Sequence, residues 1–390
     1  MPDPFTELAL VAAIPWEWAG RNFALLSIVS TLIVLMVLPA LILAKYVRLI
    51  LPLVKETQPP LSKGPLDFPR LRGEEVDFCT FDGLTLRGLI LTGQHNGHPK
   101  GMVLFAHEFR SDRQSCARYC HPLLAAGYDV FSIDFRGHGE SSGQEGYEPR
   151  QWVTDRELLD FEAALAWISV WLEERGRSPE VGAFGISRGA ATAIVVAVTH
   201  PRVRALACDG VFSTDALLEH LMKRWAYIFA KVRFVYANHP PAFWKFLRWA
   251  VFKVAGRQLR CTFPSVRKAL MRMPPRPILF VHGERDSYIS VDHVRDLYAL
   301  AGQPKELWIV PKARHNQAVM ASPDQYAHRT VAFFDRYLAG EEPIEDVPMV
   351  DTVVAGASRP FRVSPAGALV PEPLPPVHHD ADAAVSDDHP

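Results

Sequence analysis

A serine lies at the centre of the pentapeptide GISRG, residues 185–189, which has the pattern G-x-S-x-G. The residues before it, 181–186, are apolar enough for a short buried strand, and those after it, 189–199, are small and predict a helix. A serine on such a tight strand-to-helix turn exposes its hydroxyl, as a nucleophile requires. The alternative is an ordinary turn in which Ser187 only caps the helix.

Two further residues have the types and the chain order that would activate this serine. Asp286 and His315 each follow a short apolar segment that predicts a buried strand. A histidine can take the proton from a serine hydroxyl, and a carboxylate can orient that histidine. The order Ser187, Asp286, His315 therefore predicts a catalytic triad for acyl transfer. Glu284 is the second candidate for the acid, and it lies nearer the end of the strand.

Two more motifs extend the pattern. FAHEF occupies residues 105–109, and DFRGHGES occupies residues 134–141. With the pentapeptide and the acid–histidine pair, they make the chain resemble the α/β-hydrolase family over about residues 76–338. Within that family it is similar to the serine aminopeptidase-like and dienelactone-hydrolase-like branch. The resemblance implies a two-step acyl transfer through an acyl-enzyme.

The same resemblance implies an oxyanion hole made by the backbone amides of Arg188 and Phe109. His107 and His138 are interpreted as organising loops rather than as taking part in catalysis. At one position the chain departs from the family pattern, because the usual glycine after His107 is replaced by Glu108. A carboxyl group is therefore expected beside the oxyanion hole.

Composition and charge are compatible with most functions, but they restrict the classes of molecule that the protein is expected to bind. The chain has 390 residues, is 48% hydrophobic and carries a formal net charge of −1, so nothing attracts it globally to nucleic acid. Its five cysteines form no C-x-x-C pattern, which favours free thiols in a reducing compartment. We predict no cofactor and no metal site. His378, His379, Asp380 and Asp382 are interpreted as part of a solvated tail.

Alternating apolar strands and helices predict an α/β domain, residues 74–340, with a doubly wound, mostly parallel sheet. A hairpin is predicted at Asp82-Gly83. Between two predicted strands, residues 216–272 contain 12 Lys or Arg, a single acidic residue and many aromatic side chains. We interpret this segment, about 214–275, as an inserted helical cap.

The N-terminal part predicts a single-pass membrane anchor. Residues 23–44 carry no charge, and their helical length of about 33 Å would cross a hydrocarbon core of about 30 Å. Residues 1–22 form a flank and residues 45–73 a juxtamembrane linker. The alternative is a cleaved signal peptide, which the acidic rather than basic leading segment disfavours.

Charge also predicts the topology and the nature of the tail. Six Lys or Arg follow the span, up to Arg72, whereas only Arg21 precedes it, so the catalytic domain is expected in the cytoplasm. Residues 341–390 contain 10 acidic residues and nine prolines, a composition typical of disorder.

The sequence thus predicts a membrane-anchored serine hydrolase that cleaves acyl esters or thioesters. The expected substrate is a small or lipid-like acyl compound. The cap either presents its basic and aromatic side chains to the membrane, or its aromatic side chains form an ordinary core and its charges a solvated face. Two alternatives stay open, namely a serine peptidase with the same triad and a non-catalytic scaffold with an α/β-hydrolase-like fold. Local motifs do not distinguish among them, because substrate choice depends on the shape of the cap.

Overall fold

The computed structural model describes residue 20 and residues 22–55, 70–230, 240–341, 361–363 and 369–371, with the backbone alone at 225–230 and in the last two ranges. Eight strands form the main sheet. They are β1 Glu74–Cys79, β2 Thr85–Leu91, β3 Met102–Ala106, β4 Asp129–Ile133, β5 Val181–Ile186, β6 Val203–Asp209, β7 Ile278–Gly283 and β8 Lys305–Val310.

The strand order is β1-β2-β4-β3-β5-β6-β7-β8. β2 pairs antiparallel with β1 and β4, and every other neighbouring pair is parallel. All residues of β3, β4, β5 and β7 are buried, as expected for central strands covered on both faces. The predicted mostly parallel sheet is confirmed.

Helices cover both faces of this sheet. In chain order the helices are α1 Phe23–Lys55, α2 Cys116–Ala125, α3 Asp155–Glu173, α4 Arg188–Ala197, α5 Thr214–Ala230, α6 Pro241–Leu259, α7 Val266–Arg272, α8 Val291–Leu300, α9 Ala318–Ala321 and α10 Pro323–Phe334. Apolar residues of α3, α4, α7 and α8 form the core on one face. Those of α2 and α10 form the core on the other face, which completes a doubly wound arrangement.

The predicted helical insertion is present between β6 and β7 as α5, α6 and α7. α7 packs on the main core through Val266 and Leu270. α5 and α6 instead share a separate apolar cluster with Trp152 and Phe212, which we call the cap cluster. In the part of the insertion that the structure describes, there are therefore two cap helices and one helix that packs against the main core.

Helix α1 has two different halves. Its first part, residues 23–44, is almost entirely exposed, and α1 is the one helix in the described residues long and apolar enough to cross a membrane. Its last turns join the cap cluster, where Val47, Ile50 and Val54 are buried. A signal sequence would have the same length and composition as the exposed part.

The end of α1 differs from the prediction. The span is predicted to end at Ala44 because the charged Lys45 follows it, and residues 45–73 are predicted as a linker in which Arg48 and Pro52 interrupt the apolar pattern. The helix instead continues to Lys55. Both interrupting residues are exposed, so they do not disturb the buried face.

In the C-terminal part, two short strands, Phe361–Val363 and Leu369–Pro371, pair antiparallel. The rest of the segment predicted to be disordered lies outside the described residues. So does the group at His378 to Asp382.

Candidate active site

Ser187 lies on a strained turn between β5 and α4. Its backbone has φ 52° and ψ −109°, a region that non-glycine residues rarely adopt. Its N–H donates a hydrogen bond of 2.7 Å to the carbonyl oxygen of Asp209 at the end of β6, and its own carbonyl accepts one from Ala191. The turn is therefore tied both to the neighbouring strand and to the helix that follows.

The two glycines of the pentapeptide are required by close packing. A Cβ atom at Gly185 would lie 2.4 Å from the backbone nitrogen of Ala190 in α4. A Cβ atom at Gly189 would lie 2.2 Å from the carbonyl oxygen of Ala106, the last residue of β3. Gly189 thus lets α4 begin directly against the loop that follows β3.

The structure brings together the three residues predicted to form the triad. Ser187 Oγ lies 3.0 Å from His315 Nε2, and His315 Nδ1 lies 2.6 Å from Asp286 Oδ2. The other carboxylate oxygen of Asp286 accepts hydrogen bonds of 2.8 Å from the backbone N–H groups of Tyr288 and Ile289. With Nδ1–H donating to Asp286, the Nε2 atom of His315 faces the serine hydroxyl as an acceptor.

Asp286 is held as a carboxylate. Burial raises its pKa, but the hydrogen bond with His315 and the nearby charges of His315 and His282 outweigh burial, so the net pKa is lower than usual. Glu284, the second candidate, is exposed and accepts a hydrogen bond of 2.9 Å from the backbone N–H of Lys312. The structure therefore places Asp286, and not Glu284, on the histidine.

The predicted oxyanion donors lie at the start of α4 and in the loop after β3. Arg188 is the first residue of α4, so its N–H has no partner within the helix. Phe109 lies in the loop after β3, just before Arg110, whose φ is 59°. In the part of the chain that the structure describes, neither N–H donates a hydrogen bond to a protein acceptor.

His107 and His138 stabilise the surrounding loops. His107 Nδ1–H donates to the carbonyl oxygen of Glu108, and its Nε2 accepts from the N–H of Phe135. His138 Nε2 accepts from the buried guanidinium of Arg188. Burial lowers the pKa of both imidazoles, that of His107 to about 3, so both are neutral. Their contacts support the interpretation as loop-organising residues.

Glu108 is the departure from the family pattern. Its side chain is 8% exposed, and its Oε2 atom has no hydrogen-bond partner among the described residues. Burial raises its pKa, while the charges of Arg118 and His315 act in the opposite direction. Glu108 is therefore a buried carboxyl group near His315. Its raised pKa favours the protonated, neutral form of Glu108.

The sequence analysis missed Asp209 and Tyr326 behind the serine. The hydroxyl of Tyr326 donates a hydrogen bond of 2.9 Å to Asp209 Oδ2, and both side chains are buried. Burial raises the pKa of Asp209 to about 7, although this hydrogen bond and the charge of His315 oppose the shift. Asp209 ends β6, the strand beside the serine strand, so a carboxylate at a strand end was the available signal.

Across the described residues, no group of three or more His, Cys, Asp or Glu side chains could hold a metal ion.

Residues 98–329 match the alpha/beta hydrolase family. The chain belongs to the alpha/beta hydrolase family. This membership supports hydrolase activity, and the sheet order and the serine turn described above fit it.

Two relatives have sequences similar to that of this alpha/beta hydrolase. The chain is 33% identical over 135 residues to the thiohydrolase aneE of Aspergillus aculeatus, which is 34% of this chain and 39% of that protein. The match thus spans less than two thirds of the thiohydrolase. Protein PA2218 of Pseudomonas aeruginosa is 25% identical over 317 residues, covering 69% of this chain and 82% of its own.

Among solved structures, the esterase Pf2001 of Pyrococcus furiosus has a TM-score of 0.51 and 24% sequence identity. The match covers 73% of this chain and 98% of that one. At this level of identity the likeness shows the shared fold.

Proposed function

We propose that this alpha/beta hydrolase is a membrane-anchored serine hydrolase that cleaves acyl esters or thioesters. One observation carries the proposal, namely the continuous contact from Ser187 through His315 to Asp286, with distances of 3.0 Å and 2.6 Å. The strained φ of 52° at Ser187 adds to it, because such strain is typical of a nucleophile held on a sharp strand-to-helix turn.

In the proposed mechanism, His315 Nε2 takes the hydroxyl proton of Ser187 while Ser187 Oγ attacks the acyl carbon. Asp286 keeps the proton of His315 on Nδ1 and stabilises the imidazolium. The N–H groups of Arg188 and Phe109 bind the oxyanion of the tetrahedral intermediate. His315 then protonates the leaving alcohol or thiol, and a water molecule, activated by the same histidine, hydrolyses the acyl-enzyme.

An apolar acyl group is favoured by the surroundings of the triad. The ring of Tyr288 lies 5.6 Å from that of His315 and contacts the cap cluster, which also contains Ile289 and Phe212. Apolar walls next to a nucleophile suit a hydrocarbon chain. The thiohydrolase relative supports including thioesters among the substrates.

The exposed part of α1 is proposed to anchor the protein in a membrane, with the hydrolase domain in the cytoplasm. The excess of Lys and Arg after the span supports this orientation. On α6, Phe246 and Trp249 are exposed and stacked, with ring centroids 5.5 Å apart, and Lys245 is exposed nearby. We propose that these side chains contact the membrane surface.

Not every basic residue of the cap is free for such a contact. Lys223 and Arg248 both bind Glu219, at 2.9 Å and 2.6 Å. Lys231 and Arg233 lie outside the described residues. The contribution of the cap to membrane binding therefore rests on exposed residues of α6.

A substrate panel tests the proposed chemistry. The full-length protein in neutral detergent is incubated with p-nitrophenyl acyl esters, acyl thioesters and aminoacyl nitroanilides. We expect hydrolysis of esters or thioesters, with chains longer than butyryl preferred. Cleavage of the nitroanilides alone would identify a peptidase, and no turnover of any substrate would favour a non-catalytic scaffold.

Cys79 offers a test of the topology. Of the five cysteines it is the exposed one, whereas the other four are buried. A membrane-impermeant maleimide should label Cys79 in lysed cells but not in intact cells. Equal labelling in intact cells would place the domain on the outside, and the Cys79→Ser variant provides the background.

A further inference from the structure

A concave site lies on the cap, within the protein's insertion between β6 and β7. It has a volume of about 580 Å³, a size common for pockets that bind small molecules. The second half of α6, the loop after it and the start of α7 form most of its wall. The first residues of α3 and α5 complete it.

The charges around this cavity are unbalanced. Its lining contains two acidic residues, Asp155 and Asp215, and five basic ones, which are Arg248, Lys253, Arg257, Arg260 and Lys268. Arg248 is bound to Glu219. The other four basic side chains are exposed and form no ion pair with any residue that the structure describes.

The two acidic residues are already engaged by other groups. Asp155 accepts a hydrogen bond of 2.9 Å from the N–H of Thr262, and Asp215 accepts hydrogen bonds from the hydroxyl groups of Ser213 and Ser265. These contacts fix the carboxylates to the backbone and to the start of α7. The unpaired Lys and Arg side chains are therefore left to bind a ligand.

Aromatic side chains supply an apolar part of the same wall. The rings of Phe252 and Phe263 stack, with centroids 4.8 Å apart and planes inclined by 27°. Trp249, 54% exposed, also lines the cavity. A ligand that is anionic at one end and apolar or aromatic at the other would match both parts.

We propose that this cavity binds a phosphate ester, with the phosphate held by Lys253, Arg257 and Lys268 and the organic part against the aromatic rings. Several cations converging from two helices suit an anion that has more than one charge and several acceptor oxygens. Two sources carry this chemistry, a phospholipid headgroup and a soluble phosphorylated molecule. The proposal does not depend on the chemistry at Ser187.

Calorimetric titration of the full-length protein in neutral detergent tests this site. The probes are inorganic pyrophosphate and dihexanoyl phosphatidic acid. We expect saturable binding that weakens at high salt and becomes at least about tenfold weaker when Lys253, Arg257 and Lys268 are changed together to Gln. Arg272→Gln is the control, because Arg272 is exposed on α7, the helix that carries Lys268, but does not line the cavity.

The relative affinities separate the two sources. Tighter binding of the phosphatidic acid indicates a lipid headgroup, and binding of pyrophosphate at least as tight indicates a soluble ligand. The proposal is overturned if neither probe gives saturable binding at millimolar concentration. It is also overturned if the triple variant, shown by thermal unfolding to be folded, binds as tightly as the Arg272→Gln control.

Discussion

Tyr46 of α1 and Phe243 of α6 pack edge to face, with ring centroids 5.8 Å apart and planes inclined by 79°. This contact joins the long N-terminal helix to the cap of the hydrolase domain. Val47 and Val54 extend the same packing into the cap cluster. The last turns of α1 are thus part of the folded hydrolase domain, whereas its first part, residues 23–44, is exposed.

This packing predicts different effects for two N-terminal deletions. A chain starting at Lys45 keeps the packed turns and should fold. A chain starting at residue 64 lacks four buried apolar residues of α1, and it should lose on the order of 5 kcal/mol of unfolding free energy. Urea unfolding of both chains measures the difference. Equal midpoints would show that the contact between α1 and α6 adds no stability.

Gly189→Ala should disrupt the start of α4. The added Cβ would meet the carbonyl oxygen of Ala106 at 2.2 Å, so the helix must move away from the loop that carries Phe109. We expect a loss of about 1–3 kcal/mol in stability and most of the esterase activity. Gly143→Ala is the control, because nothing lies within 4 Å of a Cβ at that exposed position. Similar melting temperatures and activity for both variants would contradict this account.

Glu108 should make the protein less stable as the pH rises above the ordinary carboxyl range. Its pKa is raised in the folded state, so the native protein holds a proton that the unfolded chain releases at lower pH. Stability is therefore full below the ordinary carboxyl pKa and falls as pH rises through the raised value. Ionisation would also place a negative charge beside the proposed oxyanion hole and lower the rate.

Glu108→Gln removes this titration, so its stability and activity relative to wild type should increase with pH. Thermal unfolding and kcat/KM at several pH values check this. Asp209, whose pKa is about 7, titrates in both proteins, and its pKa should be lower in the variant because the charge of Glu108 contributes to raising it. Glu284→Gln, a change at an exposed carboxylate, should leave both profiles unaltered. Parallel profiles for wild type and Glu108→Gln would refute the role given to this residue.

The strands of the sheet could be predicted because central strands are short, continuous apolar runs. Residues 102–106 and 181–186 became β3 and β5 with the same ends. Ser187, Asp286 and His315 each follow such a strand. Because these strands are parallel, their carboxyl ends lie at the same edge of the sheet, and the three residues could be predicted to meet there. The sequence signal is strong where a strand end and a chemical residue type coincide.

Other features could not be predicted because they depend on which faces become buried. The continuation of α1 to Lys55 depends on its packing with α6, and Arg48 and Pro52 obscured it. The hydrogen bond between Tyr326 and Asp209 joins residues 117 positions apart, and no local pattern encodes it. The aromatic and basic composition of the cap was visible, but the cavity it forms was not.

The choice of the acid in the triad is tested by two substitutions. Asp286→Asn should lower kcat by about 10⁴, since the amide cannot hold His315 in the required tautomer. Glu284→Gln should retain activity, because Glu284 does not contact the histidine. Steady-state kinetics on a p-nitrophenyl ester compare the two variants. An inactive Glu284→Gln with an active Asp286→Asn would reverse the assignment.

Labelling by a fluorophosphonate probe tests the central claim, that His315 activates Ser187 as the nucleophile, most directly. Peptide mapping of the labelled full-length protein should find the adduct on Ser187. Labelling should be absent in Ser187→Ala and slowed by several orders of magnitude in His315→Ala, with hydrolysis reduced on the order of 10⁶. An adduct on another residue, or full hydrolytic activity in a folded Ser187→Ala variant, would contradict the account.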